Sequence, residues 1–165
     1  MIPSQRRFLL LAAAMLPALA GIGWAQTTPQ PELPKQPLTI VTHDSKRHVF
    51  QVEMALAPDQ QTTGLMFRTK VADDGGMLFD WGVERPSQMW MKNTLVPLDM
   101  LFISADGHIH SIAEHTVPQS LAVIDSRGPV RATLELADGT AARLDLRVGD
   151  LVEATIFTKA ATGAK

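Results

Sequence analysis

The sequence predicts a mostly β fold with a minor helical part: one small barrel- or sandwich-like domain carrying two short helices. Three observations lead there. The apolar runs Met77 to Trp81, Met89 to Met91 and Leu98 to Ile103 are too short for helices and are bounded by Gly, Pro, Asn and Asp, as strands are. Turn signals recur along the chain, the strongest being Asp106-Gly107 between Ile103 and Ile109. A chain of 165 residues without cysteine has length for one packed core and no disulfide or thiolate–metal staple to replace it.

Taken in order, Met1 to Ala25 carries Arg6-Arg7, an apolar stretch from Phe8 to Ile22, and the small residues Gly23 and Ala25 around Trp24. This is the pattern of a secretory signal peptide cleaved after Ala25, and the paired arginines also loosely resemble a twin-arginine signal. The competing reading, an uncleaved anchor helix, is opposed by Pro17, Gly21 and Gly23. The expectation is a periplasmic or secreted protein with no stable membrane insertion once the signal is cut. Residues 26–37, rich in Pro, Gln and Thr, are expected as a disordered linker, residues 38–157 as the β-rich domain and residues 158–165 as a disordered tail.

Within the domain, Leu38 to Thr42 and His48 to Ala55 form an N-terminal hairpin, with Phe50, Val52 and Met54 facing the core and Gln51 and Glu53 the solvent. Pro58 to Gly64 is a short helix with Pro at a permitted early position, after which Leu65, Met66 and Phe67 return to the core. Met77 to Trp81 is a strand, Glu84 to Ser87 a loop, and Leu98 to Ile103 a strand that turns at Asp106-Gly107. A two-residue turn there sets Ala105 opposite His108, Ile103 opposite His110, Leu101 opposite Ile112 and Asp99 opposite Glu114. The last pair repels, so the ladder is expected to stop before it. Val117 to Pro129 reads as a long loop with an apolar patch at Leu121 to Ile124, Val130 to Ala137 as a strand, Asp138 to Leu144 as a capped short helix, and Leu151 to Phe157 as the last strand.

Charge narrows the function. The chain has 15 basic and 17 acidic residues, and removing Arg6 and Arg7 with the signal leaves 13 basic residues. The mature domain is mildly acidic and has no basic run interleaved with aromatics, which gives no support for nucleic acid as a partner. A P-loop, a dinucleotide fingerprint, a zincin motif and a nucleophile elbow are all missing, so no cofactor is assigned.

What remains is a polar set embedded among apolar residues: Arg68, Lys92, Asn93, Asp99 and Glu135. Asp99 shows the problem, because both faces of Leu98 to Ile103 are otherwise apolar and a buried carboxylate must be paired, held by several donors or protonated. Such a set either fixes strand ends through internal pairs or lines a pocket, where Arg68 or Lys92 would hold an anion and Asp99 or Glu135 would accept hydrogen bonds or move a proton. Trp81 and Trp90 are packing residues or, beside such a pocket, a platform for a sugar ring or peptide. His108 and His110, with Met89 and Met91, have copper-compatible ligand types, although histidines after a turn are ordinarily solvated and Met ordinarily fills cores.

The segments GLMFR (Gly64 to Arg68), GMLF (Gly76 to Phe79), WMKNTLVPLDMLFI (Trp90 to Ile103), the following Asp106-Gly107, LEL (Leu134 to Leu136) and Gly149-Asp150 together resemble the family known as domain of unknown function 192. The resemblance implies a small β-rich domain, often exported, whose activity is not established. All five members of the polar set fall on the family's motifs. The chain departs from the usual pattern at Thr62 and Thr63, where longer polar residues are common, and at Met89, where an aromatic is common. The favoured expectation is a non-catalytic periplasmic domain that binds a small molecule or an extended peptide through Arg68, Trp90, Lys92, Asn93, Asp99 and Glu135. The alternatives are an enzyme acting on an anionic or carbohydrate-like envelope component, and a copper carrier using Met and His.

Overall fold

The computed structural model describes residues 27–158. The expected signal peptide and nearly all of the expected C-terminal tail lie outside that range. The described residues form a mostly β fold, a single curled seven-stranded sheet with strand order β5-β4-β6-β3-β2-β1-β7. Its strands are β1 (Lys35–Val41), β2 (Arg47–Ala55), β3 (Gly75–Met89), β4 (Leu98–Ile103), β5 (Ile109–Ala113), β6 (Ile124–Ala137) and β7 (Leu151–Glu153). The helices are α1 (Pro58–Thr63), α2 (Thr140–Leu144) and α3 (Thr155–Thr158). None is long and apolar enough to cross a membrane.

The expected hairpin of β1 and β2 is present and antiparallel. β2 then pairs in parallel with β3, and a parallel neighbour requires a crossover. That crossover is α1 and the segment 64–74. Pro58 opens α1 at its first position, and the Gln60 side chain accepts from the Leu56 and Ala57 backbone N–H groups at 3.0 and 2.9 Å. The crossover runs over one face of the sheet, which accounts for the two separate cores.

On one face, Phe50, Val52, Leu78, Leu101, Leu134 and Val152 pack together and are capped by Leu146 and Phe157. On the other, Met77, Phe79, Met100 and Phe102 pack under Leu65 and Met91. Alternation sends successive residues to the two faces; because both are covered, the central strands read as continuous apolar runs rather than alternating ones.

This two-sidedness overturns one expectation. Glu53 does not face solvent: it is 6% exposed, on the face covered by the crossover. Its carboxylate takes the Leu33 backbone N–H at 2.8 Å and the Arg68 guanidinium at 3.0 Å. Leu33 belongs to the expected linker, and the Gln30 side chain donates to Gly64 O at 2.8 Å, while Lys35 to Pro37 already belong to β1. The segment expected as a disordered linker is therefore tied to the sheet from Gln30 onward.

Further corrections concern strand lengths. β3 does not end at Trp81. It continues through the expected loop Glu84 to Ser87 and takes in Met89, so Met89 to Met91 is not a separate strand: Trp90 and Met91 lie beyond its end. Register shifts between Asp80 and Arg85 and between Pro86 and Gln88 absorb Gly82 and Pro86 while pairing with β6 persists; bulges are how a strand accommodates such residues. For the same reason β6 begins at Ile124, inside the expected loop. β7 stops at Glu153 and the described residues finish in α3, a third short helix.

At the Asp106-Gly107 turn the Ser104 N–H donates to His108 O at 3.0 Å, a longer connection than two residues. A bulge there sets Ile103 opposite Ile109 rather than His110. Leu101 faces Ile112 as expected, and the ladder ends at Met100 and Ala113, before Asp99 can meet Glu114. The turn also meets β7. Val152 N–H donates to Gly107 O, and Gly149 N–H to Ile109 O, both at 2.8 Å, so the two outer strands of the sheet touch at one end. A side chain at residue 107 would bring its Cβ within 2.8 Å of Val152 O, and Gly107 has φ of 87°; both facts call for glycine.

Candidate functional site

The strand register builds one lateral row on the crossover face. Glu53 pairs with Met77, Met77 with Glu135, and Glu135 with Met100. Two carboxyl groups thus share a row otherwise made of thioethers. Glu53 has Arg68, whereas Glu135 is 4% exposed and makes no side-chain hydrogen bond or ion pair with any described residue. Burial alone pushes its carboxyl up to about 8, because the charged form loses its water and gains no partner. β3 approaches β6 closely here: a Cβ on Gly76 would lie 2.3 Å from Glu135 O, which explains the glycine before Met77.

Glu135 lines a cleft of about 400 Å³ together with Phe79, Trp81, Arg85, Met89 and Trp90 on one side and Gln61 to Met66 on the other. β3 supplies the aromatic wall. Phe79 and Trp81 are two residues apart, so they share a face, and their rings stack at 5.8 Å. The Trp81 indole N–H donates to Thr133 Oγ1 at 3.3 Å, which fixes the ring. The Arg85 guanidinium lies 4.5 Å from the centre of that ring. The opposite wall is the end of α1, held by the Gln61 amide, which donates to Asp80 O at 2.7 Å and Ala55 O at 3.2 Å. Trp90, 46% exposed, stands at the rim with Lys92 Nζ 5.0 Å from its ring centre.

The six expected site residues are therefore dispersed. Glu135 and Trp90 line the cleft, and Lys92 sits on the outer face of Trp90. Asn93 has φ of 56° and its carbonyl accepts from the Phe67 N–H at 2.9 Å, so it shapes the loop beneath the rim. Arg68 lines a second pocket of about 300 Å³ with Glu53, Lys35 and Lys70; Leu65 belongs to both pockets and divides them.

Asp99 faces neither pocket. It is fully buried, with the His115 N–H donating to Oδ1 at 3.1 Å and the Ala141 N–H to Oδ2 at 2.8 Å. It pins a loop and stands in for the missing side-chain cap of α2, whose N-cap is Gly139.

Two groups have metal-compatible ligand types. Ligand atoms of Asp99, His115 and Asp138 lie within 4.8 Å of one another, but Asp99 is already engaged by two N–H groups and His115 Nδ1 lies 2.8 Å from Asp138. That pairing raises the His115 pKa and accounts for the cluster without an ion. Of the Met and His residues, Met91 is buried in the core, Met89 lines the cleft, and His108 Nδ1 lies 3.1 Å from Asp106.

Sequence reasoning missed Arg85, which was placed in a loop, and the α1 residues. Thr62, Thr63 and Met89, the positions at which the chain departs from the family's usual residues, all line the cleft.

These features define a curled, two-sided β-sheet domain with a polar-floored cleft under its crossover. Residues 39–154 match the family of domain of unknown function 192, described as uncharacterised ACR, and the chain belongs to that family. Two crystal structures are similar. A Sinorhizobium meliloti 1021 protein provisionally described as a transcription regulator is 47% identical, with a TM-score of 0.75 over 77% of this chain and 98% of its own. A protein of unknown function from Novosphingobium aromaticivorans DSM 12444 is 38% identical, with a TM-score of 0.72 over 79% of this chain and 94% of its own. No curated protein matches the chain.

Proposed function

We propose that the protein is an exported, non-catalytic binding domain that holds a small molecule or an extended peptide in the cleft floored by Glu135. The observation that carries this is the Glu135 carboxyl: buried, without a partner, and lining an open cavity with aromatic walls. An unpaired buried polar group costs folding free energy. Its retention is explained if a guest supplies the missing partner. Trp81 and Trp90 provide rigid apolar surface with little side-chain entropy to lose.

Catalysis on an envelope component is the second reading, favoured by a carboxyl whose pKa near 8 suits proton transfer at neutral pH. It is weaker because, among the described residues, Glu135 is the only carboxyl lining the cleft, so no second carboxyl there would act as nucleophile or acid. Asp99, the other expected acid/base, is enclosed elsewhere.

Glu135→Leu tests the proposal. The variant should fold, be more stable than the wild type at pH 8 by about 1–2 kcal/mol, and lose any guest that native mass spectrometry finds on wild-type protein purified from its own periplasm. A less stable variant that keeps the same guest would refute it.

A further inference from the structure

The cleft contains two opposite charges that do not meet. At the floor is Glu135, with no partner; at the rim is Arg85, exposed, whose only described contact is with the Trp81 ring. The two carboxylates of β3 are occupied, Asp80 by Arg131 and Glu84 by the Ala105 N–H at 3.0 Å. Resting on the binding reading above, we propose that the guest is a short peptide of two or three residues, held by its ammonium terminus on Glu135 and its carboxylate terminus on Arg85.

Length follows from the register. Arg85 pairs with Val130 and Met77 with Glu135, so the two charges originate from rows separated by the Val130 to Glu135 stretch of β6, roughly 16 Å of strand. Both side chains line the same cavity and shorten that span. The stacked rings of Phe79 and Trp81 occupy the remainder. A free amino acid is too short to bridge two rings, whereas extended residues cover roughly 3.5 Å each. The apolar surface of the same cleft, from Trp81, Trp90 and Met89, suits apolar side chains. A guanidinium matches a terminal carboxylate in bidentate geometry, and a desolvated carboxyl gains most from an ammonium.

Seating an ammonium on Glu135 ionises a group that burial keeps protonated at neutral pH, so binding should expel a proton. A neutral sugar or a fatty acid in the same cleft would not do this.

Isothermal titration calorimetry at pH 7 with the tripeptide Leu-Gly-Leu, in buffers of different ionisation enthalpy, tests the proposal. Expected are saturable binding with about one proton released, loss of binding on N-acetylation of the peptide or in Glu135→Gln, and a roughly tenfold weakening on C-amidation or in Arg85→Gln. C-amidation should cost nothing further in Arg85→Gln. Equal binding of the free and capped peptides, or binding without proton release, would overturn the peptide assignment. So would no tripeptide binding by a wild-type protein that retains some other mass in native spectra, although the binding reading would then stand. Neither tripeptide binding nor any retained mass would sink both.

Discussion

Asp99 and Glu135 lie on neighbouring strands and are both buried carboxyl groups, yet they have been given opposite surroundings. Asp99 receives two backbone N–H groups, each at hydrogen-bond distance, and joins two loops to the sheet. Glu135 receives none and opens onto a cavity. Burial does not separate them; what separates them is whether the backbone supplies donors. A satisfied acid is a construction element, while an unsatisfied one is a cost that its surroundings do not repay.

The largest test of this difference is the pH dependence of stability. Glu135 has a folded pKa near 8 against a usual 4.5, so between those values the folded state holds the proton that the unfolded chain has released. Stability from this group is fully present below about pH 4.5 and is lost as pH rises to about 8, by on the order of 4 kcal/mol at most. Urea unfolding at pH 5, 6.5 and 8 should show this decline, and Glu135→Gln should flatten it. His115, whose pKa is also raised, slopes the same way but is exposed and screened. The lowered carboxyls Asp44, Asp106 and Glu153 act in a more acid window and in the opposite sense. A curve unchanged by Glu135→Gln would remove the contrast.

Next in size is Asp99→Ala, which strands two backbone donors and should cost about 3 kcal/mol, read as a lower urea midpoint at unchanged slope. Glu135→Leu should move the midpoint the other way. The smallest effect is expected for His115→Ala. Its imidazole pairs with Asp138 at the surface, where water and salt screen the pair, while Asp99 is held by the residue's backbone N–H, so the urea midpoint should barely move. A large loss would mean that the side chain, and not the backbone alone, supports Asp99.

Much of the frame was legible because it depends on local chemistry. Pro58 and Gly64 delimit α1, Asp106-Gly107 marks the turn, and the Phe50, Val52, Met54 alternation identifies a core face. The polar set was legible as a set because charges among apolar residues are conspicuous. Its division was not. Asp99 is satisfied by His115 and Ala141, whose backbone positions are set by loops distant in sequence, and no such loop among the described residues reaches Glu135. The buried Glu53 was misread because alternation shows which residues share a face, not whether a crossover will cover it. Arg85 was missed because bulges carry β3 through Gly82 and Pro86, residues that normally end a strand; only the partner strand makes the continuation visible.

The contact between Gly107 and Val152 has a consequence of its own. Where the turn and β7 seal the sheet, neither outer strand offers an unbroken ladder of amides to a newcomer. A visiting chain cannot simply extend the sheet there, and recruitment is left to side chains. The same closure protects that end of the domain from stacking edge to edge with its own copies.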